Sequence, residues 1–336
     1  MIVARAPLRI SFVGGGTDLP DFYRYHQGSV LSAAIDKFVY VVVNPTPMIP
    51  KVSARYSISE TVDHPSELQH TRIRAALLDL GIKKGIEVGS YASVVAKTGL
   101  GSSSTFSVAL IKALYDYLGK NLSREEAAKE ACRLEIELVG EPIGKQDQYA
   151  AAYGGMNILR FNPDDSVETE PVLLDYQKQA RLENNLMLFF TGITRFASEV
   201  LEEQKANTVK NKNIEALRKA AALVPAFHKH LLDGDIKGMG DLLHQNWLLK
   251  KSFASGISST VLDELYETGR TAGAFGGKVL GAGGGGCLLL LVEPAKRQQV
   301  LAALHETAKN YGLSEAREIP VRFVQAGVEI LFRSND

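Results

Sequence analysis

Hydrophobic positions along the chain switch between strand and helix periods. Leu8–Val13 reads as a strand running into Gly14-Gly15-Gly16. Gly28–Ala34 and the β-branched, aromatic run Phe38–Asn44 predict two more strands, ended by Pro45, Pro47 and Pro50. His64–Gly81 has helical spacing through Ile73, Leu77 and Leu80, and Gly85–Tyr91 is strand-sized. Phe106, Ala109, Leu110, Ala113, Leu114 and Tyr117 mark a helix closed by Gly119. Ser123 with Glu126 three residues on is a capping-box pattern, opening a helix that runs to about Val139. A loop from Gly140 merges into a short helix near Tyr153. Met156–Phe161 is a strand, and Asn162–Asp165 a hairpin-like turn.

Further on, Leu186–Phe190 predicts a buried strand. Thr194–Lys250 is mostly helical and charged, with breaks expected near Pro225 and Gly234. Ser258 or Ser259 caps a helix to Gly269, and Lys278–Leu280 and Gly286–Val292 are strands joined by glycines. Pro294–Tyr311 is a helix, and Arg317–Phe332 supplies the last strand material. Strands and helices mix without a regular βαβ repeat. The reading is α+β with two domains, 1–180 and 181–336.

Composition adds exclusions. The chain has 336 residues, 45% apolar and 23% charged, which rules out a disordered, collagenous or coiled-coil chain. Lys+Arg and Asp+Glu both number 38, so no strong overall attraction to nucleic acid or anionic membrane is expected. Cys132 and Cys287 stand alone, with no zinc-type spacing, and suggest a reducing, cytoplasmic setting. The longest apolar runs, Phe38–Val43 and Cys287–Val292, are strand-sized, and the N-terminus lacks a signal-peptide pattern.

Four segments carry candidate chemistry. Gly99-Leu100-Gly101-Ser102-Ser103-Ser104-Thr105 precedes a helix, so free backbone N–H groups and the positive end of the helix dipole meet at one spot. That suits phosphate, although the loop is not a Walker A sequence. Gly281-Ala282-Gly283-Gly284-Gly285-Gly286 matches a dinucleotide fingerprint only formally, because a strand follows it where a helix should. It is read instead as a loop brought against the site from the second domain. Arg9–Asp18 takes a strand into a glycine turn ending on a carboxylate that can accept from sugar hydroxyls. In Gly144-Lys145-Gln146-Asp147-Gln148 a carboxylate sits beside a cation and can orient or deprotonate a hydroxyl. Glu135 and Glu137 are solvated by default and Mg²⁺ ligands by exception. His228, Lys229 and His230 read as solvated, and Trp247, Leu248 and Leu249 as core.

In this order the segments resemble the GHMP kinases, the superfamily of galactokinase and the homoserine, mevalonate and phosphomevalonate kinases. Three motifs carry the likeness: Ala6-Pro7-Leu8-Arg9 through Gly16-Thr17-Asp18, Gly99–Ser104, and Lys278–Gly286. The resemblance implies an N-terminal domain like ribosomal protein S5 domain 2 and a ferredoxin-like C-terminal domain. It implies ATP with Mg²⁺ and phosphoryl transfer to a small-molecule hydroxyl. By motif match, Asp147 is the expected catalytic aspartate and Arg9 the expected stabiliser of the transferred group. Gly99–Thr105 is the expected ATP loop. Ser103 and Glu135 are the expected metal ligands, with Glu137 as the alternative to Glu135. Gly15, Gly16, Thr17, Asp18, Lys145, Arg195, Gly283 and Gly284 are expected to bind substrate.

Galactokinases carry Glu and His where this chain has Gly15 and Gly16, which argues against galactose. Within the superfamily, Pro7–Pro20, Gly140–Tyr149 and Thr191–Arg195 are most similar to the D-glycero-D-manno-heptose 7-phosphate kinases, which implies phosphorylation at C1 for surface polysaccharide synthesis. Arg195, Lys145 or Arg24 would hold the 7-phosphate. A fucokinase-like enzyme, a catalytically silent sugar sensor and a diphosphomevalonate-decarboxylase-like lyase are the alternatives. Expected partners are a sugar phosphate and ATP, with no nucleic acid or membrane, and a homodimer is compatible.

Overall fold

The computed structural model describes residues 1–194 and 197–334. It has two sheets. The first has eight strands and is built around the 18-residue strand Gly28–Pro45. That strand pairs along its length with Ile2–Val13, by its first half with Met156–Phe161, and by its second half with Ile86–Ala92. The two strands expected at 28–34 and 38–44 are therefore one. Ile35, Val39, Val41 and Val43 are buried in it, and the residues between keep the extended path. The first strand likewise begins earlier than expected, since Ala4, Ala6 and Leu8 alternate into the core.

The second sheet has four antiparallel strands in the spatial order Arg317–Glu318, Leu186–Phe190, Cys287–Val292, Ala274–Val279. Cys287–Val292 is buried at every position, which explains its unbroken apolar run. The final strand, Glu329–Arg333, leaves this sheet and pairs antiparallel with the first strand of the other one.

Helix predictions survive with informative shifts. Ser123 and Glu126 form the capping box reciprocally, with bonds of 3.2 and 2.7 Å. The helix it opens, Arg124–Cys132, widens into a π turn over Arg133–Leu138 that carries Glu135. His64–Gly81 is not one helix: a 3₁₀ turn at Pro65–Glu67 precedes Thr71–Asp79, which His70 caps through its ring nitrogen. The expected break at Pro225 does not occur. Helix Ile214–Asp233 runs through it to Gly234, with the proline exposed and Leu217, Ala220, Val224, Phe227 and Leu231 buried on the opposite stripe. Packing of that stripe outweighs the ~3 kcal/mol an interior proline costs. Trp247 is core as expected, but Leu248 is 50% exposed.

Among the described residues no helix is long and apolar enough to cross a membrane.

Candidate active site

Both glycine segments and the Arg9 strand border one cleft of about 440 Å³. The helix Ser102–Tyr117 points its N-terminus at it. Its cap, Gly101, sits at φ 78°, and no side chain caps the first turn. Ser102, Ser103 and Ser104 line the cleft with Gly99 and Gly101. Uncapped N–H groups at the positive end of a 16-residue helix fit a phosphate chain. Two members of the expected ATP loop face elsewhere. Leu100 is fully buried and accepts from Arg9 N through its carbonyl, while Thr105 is buried and donates to the Pro7 carbonyl.

The C-terminal glycine run meets this loop backbone to backbone. A Cβ on Gly281 would lie 2.6 Å from Gly99 Cα, and one on Gly286 would lie 2.5 Å from the Thr98 carbonyl oxygen. Cys287 N donates to that same oxygen at 2.9 Å. Close approach, together with a positive φ at Gly281, is what this glycine richness serves. Gly281→Ala is expected to displace the phosphate loop and cut kcat/KM for ATP on the order of 100-fold. Steady-state kinetics with ATP as the varied substrate measures it. Gly283 lines the cleft, whereas Gly284 does not and donates its N–H to the Ile257 carbonyl.

Arg9 and Asp147 form the centre. Arg9 is buried and donates from Nε to Asp147 Oδ1 at 2.7 Å and from a terminal nitrogen to Oδ2 at 2.6 Å. Its other terminal nitrogen donates to the Gly99 carbonyl at 2.6 Å. Asp147 is in the first turn of the helix Gln146–Tyr153, and its Oδ2 lies 3.3 Å from where a Gly101 Cβ would be. The acid–guanidinium pair thus lies directly against the phosphate loop.

Asp18 lines the same cleft. Its Oδ1 accepts from Gly16 N and its Oδ2 from Gln146 N, both at 3.2 Å, so it also caps the Asp147 helix. Burial, reinforced by the Asp147 charge, raises its pKa above the usual carboxylate value. Gly15 and Gly16 line the cleft beside it. Thr17 does not: it is buried and locks the turn, donating to the Gly14 and Ser29 carbonyls.

Other expected residues lie apart from the cleft. Lys145 and Arg24 both engage Asp165, and Lys145 lies over the Tyr23 ring, so neither lines the cleft. Arg195 falls outside the described residues. Glu137 is exposed. Glu135 is fully buried behind Ser104, with Oε1 accepting from Arg72 at 2.8 Å and Oε2 from Gln148 at 2.6 Å. Burial raises its pKa despite Arg72 and the Ser104 hydroxyl. Ser103 is exposed at the cleft, but the serine that meets Glu135 is Ser104.

A carboxylate with both oxygens taken and no cleft surface does not fit a resident magnesium site shared with Ser103. Among the described residues no cluster of three His, Cys, Asp or Glu side chains could hold a metal. Glu135 instead supports the wall under the phosphate loop. Glu135→Leu is expected to cost roughly 3 kcal/mol by stranding Gln148 and leaving Arg72 only Glu141, read from denaturant midpoints.

Three residues escaped the sequence reading. Lys278 and Lys250 are buried and line the cleft, as does Arg72. Lys250 donates to the Val279 and Gly281 carbonyls at 2.9 and 2.6 Å, holding the glycine loop. Lys278 heads the C-terminal motif, which was its one available signal.

An uncapped helix N-terminus in a glycine–serine loop, with an acid–arginine pair against it, suits the chemistry of a phosphotransferase. The GHMP kinases N terminal domain matches residues 69–155, and the GHMP kinases C terminal domain matches residues 223–310. A D-glycero-alpha-D-manno-heptose 7-phosphate kinase of Campylobacter jejuni is 29% identical over 91% of this chain and 93% of its own. A bifunctional fucokinase/GDP-fucose pyrophosphorylase of Arabidopsis thaliana is 27% identical over 88% of this chain and 30% of its own. The solved structure of a D-glycero-D-manno-heptose 1-phosphate kinase from Bacteroides thetaiotaomicron superposes with a TM-score of 0.80, at 25% identity and full coverage of both chains. The chain belongs to the GHMP kinase family. It is an ATP-dependent sugar kinase with the family's α+β fold.

Proposed function

We propose that this kinase transfers the γ-phosphoryl group of ATP to the C1 hydroxyl of D-glycero-α-D-manno-heptose 7-phosphate, giving heptose 1,7-bisphosphate. The product would feed nucleotide-activated heptose and surface polysaccharide synthesis. The observation that carries the chemistry is the Arg9–Asp147 pair, set between the phosphate loop and the Gly15–Asp18 wall. The likeness to the Campylobacter enzyme over nearly the whole chain supports the acceptor.

In this reading the O1–phosphorus bond forms as the bond from phosphorus to the ADP oxygen breaks. Asp147 takes the C1 hydroxyl proton, and the acidity of an anomeric hydroxyl lowers the demand on that base. Arg9 holds Asp147 in place and faces the charge of the transferred group. The N-terminus of helix Ser102–Tyr117 receives the nucleotide phosphates, and Asp18 orients sugar hydroxyls. Magnesium would enter on the nucleotide phosphates to offset their charge.

A second reading, a kinase for a free sugar such as L-fucose, is favoured by the pairing of Lys145 and Arg24 with Asp165. That leaves neither cation for a 7-phosphate. A coupled ADP-release assay on heptose 7-phosphate, unphosphorylated heptose, mannose, L-fucose and galactose separates the two. Turnover confined to heptose 7-phosphate, with the new phosphate at C1 by phosphorus NMR, is expected. Preference for a free sugar would overturn the heptose assignment and keep the kinase.

A further inference from the structure

The cations of the cleft are unequally occupied. Arg9 is held by Asp147, Arg72 by Glu135 and Glu141, and Lys250 by two carbonyls. Lys278 is 1% exposed, yet no described group accepts a hydrogen bond from its ammonium or pairs with its charge. Its surroundings are cationic, with Arg9 and Lys250 close enough to act on it.

Three polar tips converge where a side chain on Gly15 would begin. Gln146 Oε1 lies 3.6 Å from that point, Ser11 Oγ 3.8 Å and Lys278 Nζ 3.9 Å. Gln146 is 5% exposed, and its amide nitrogen has no partner. A buried ammonium with no acceptor, beside a buried amide whose nitrogen has none, is costly unless something fills the gap; the amide turns its oxygen toward the gap, and a half-turn about its last bond brings the donor in. Gly15, Ser11, Gln146 and Lys278 all line the cleft together with Asp18 and Arg9, so the gap opens into it. Burial and Arg9 lower the Lys278 pKa from 10.5 to about 7. An anionic oxygen in the gap would restore its charge.

We propose that Lys278, with Gln146 and Ser11 across the Gly15 gap, is a phosphoryl-oxygen subsite serving the acceptor. It rests on the sugar-kinase reading above and supplies the cation that Lys145 and Arg24 do not. The phosphoryl oxygens have two sources, the group in transfer or a phosphate the acceptor already carries. Both offer anionic oxygens to a compact point charge, which an ammonium matches.

The test is steady-state kinetics of Lys278→Met with heptose 7-phosphate and with unphosphorylated heptose, varying ATP separately. The expected result is a loss of about 100-fold in kcat/KM for the acceptor, with KM for ATP changed less than about twofold. A loss in KM confined to heptose 7-phosphate assigns the subsite to the acceptor's own phosphate. An equal fall in kcat for both sugars assigns it to the group in transfer. Unchanged kcat/KM for both, or a loss confined to ATP, overturns the proposal.

Removing an unpaired buried charge should leave the free protein melting no lower than wild type, which keeps a kinetic loss distinct from misfolding. Gly15→Ala is the second variant. Its methyl meets only ordinary contacts of 3.6 Å or more. It should therefore fold, fill the gap and show the same loss on the acceptor side. A Gly15→Ala enzyme with wild-type acceptor kinetics also overturns the proposal. Should the wild type not use heptose 7-phosphate, the substrate reading fails alone, and the same comparison runs on whichever sugar of the panel it phosphorylates.

Discussion

Asp147→Asn is expected to lower kcat by roughly 10²–10⁴-fold while changing KM for ATP by less than about twofold. The carboxamide keeps the shape of the side chain, and one oxygen can still accept from Arg9. It cannot take the hydroxyl proton, and it brings an amide nitrogen toward a guanidinium that has only donors. The loss should therefore sit in kcat. The buried Arg9 keeps the carboxamide oxygen and the Gly99 carbonyl as acceptors, so the variant should fold. Single-turnover transfer separates chemistry from product release. Near-normal turnover would remove Asp147 as the base and leave it a holder of Arg9.

Arg9→Lys is expected to lower kcat/KM by on the order of 10³-fold for both ATP and the acceptor. Arg9 makes two bonds to Asp147 and one to the Gly99 carbonyl from a single planar fork. An ammonium on a flexible stem cannot span carboxylate and carbonyl together. Asp147 would lose its orientation, and the Gly99 carbonyl its side-chain donor from the first strand. A loss on both substrates distinguishes this variant from Asp147→Asn, whose effect is confined to the chemical step. A loss on the acceptor alone would show that the Gly99 contact does not position the nucleotide.

The local signals in the chain were readable where one element decides the outcome. The Ser123–Glu126 capping box, the buried run Cys287–Val292 and the glycine–serine loop before Ser102–Tyr117 rest on nearest-neighbour physics, and each formed as read. The helix through Pro225 was not readable, because the stripe that carries it gains its energy from residues far along the chain. The site divides in the same way. Arg9, Asp147 and Asp18 belong to motif-bearing segments and converge on the cleft. Glu135 and Lys145 occupy matching motif positions, yet Arg72, Gln148 and Asp165 draw them into pairings that no local pattern encodes. Lys278 and Lys250 look like ordinary charges in one dimension. Only burial against the glycine loop makes them exceptional.

The return of the last strand to the first sheet bears on how firmly the two sheets are joined. The chain leaves that sheet at Val172, whose N–H donates to the Met156 carbonyl. It comes back at Val324, whose carbonyl accepts from Gly155 N. Exit and return are thus pinned to consecutive residues. The intervening segment is held a second time along its length, where the buried stripe of helix Ile214–Asp233 packs on the first sheet with Phe227 stacked on Phe12 at 5.2 Å, and where Asn246 accepts from Gly14 N. Chain crossings at one corner and a packed helix face beyond it fix the second sheet at two separated places, so the glycine run is set against the phosphate loop by the body of the fold and not by the loops alone.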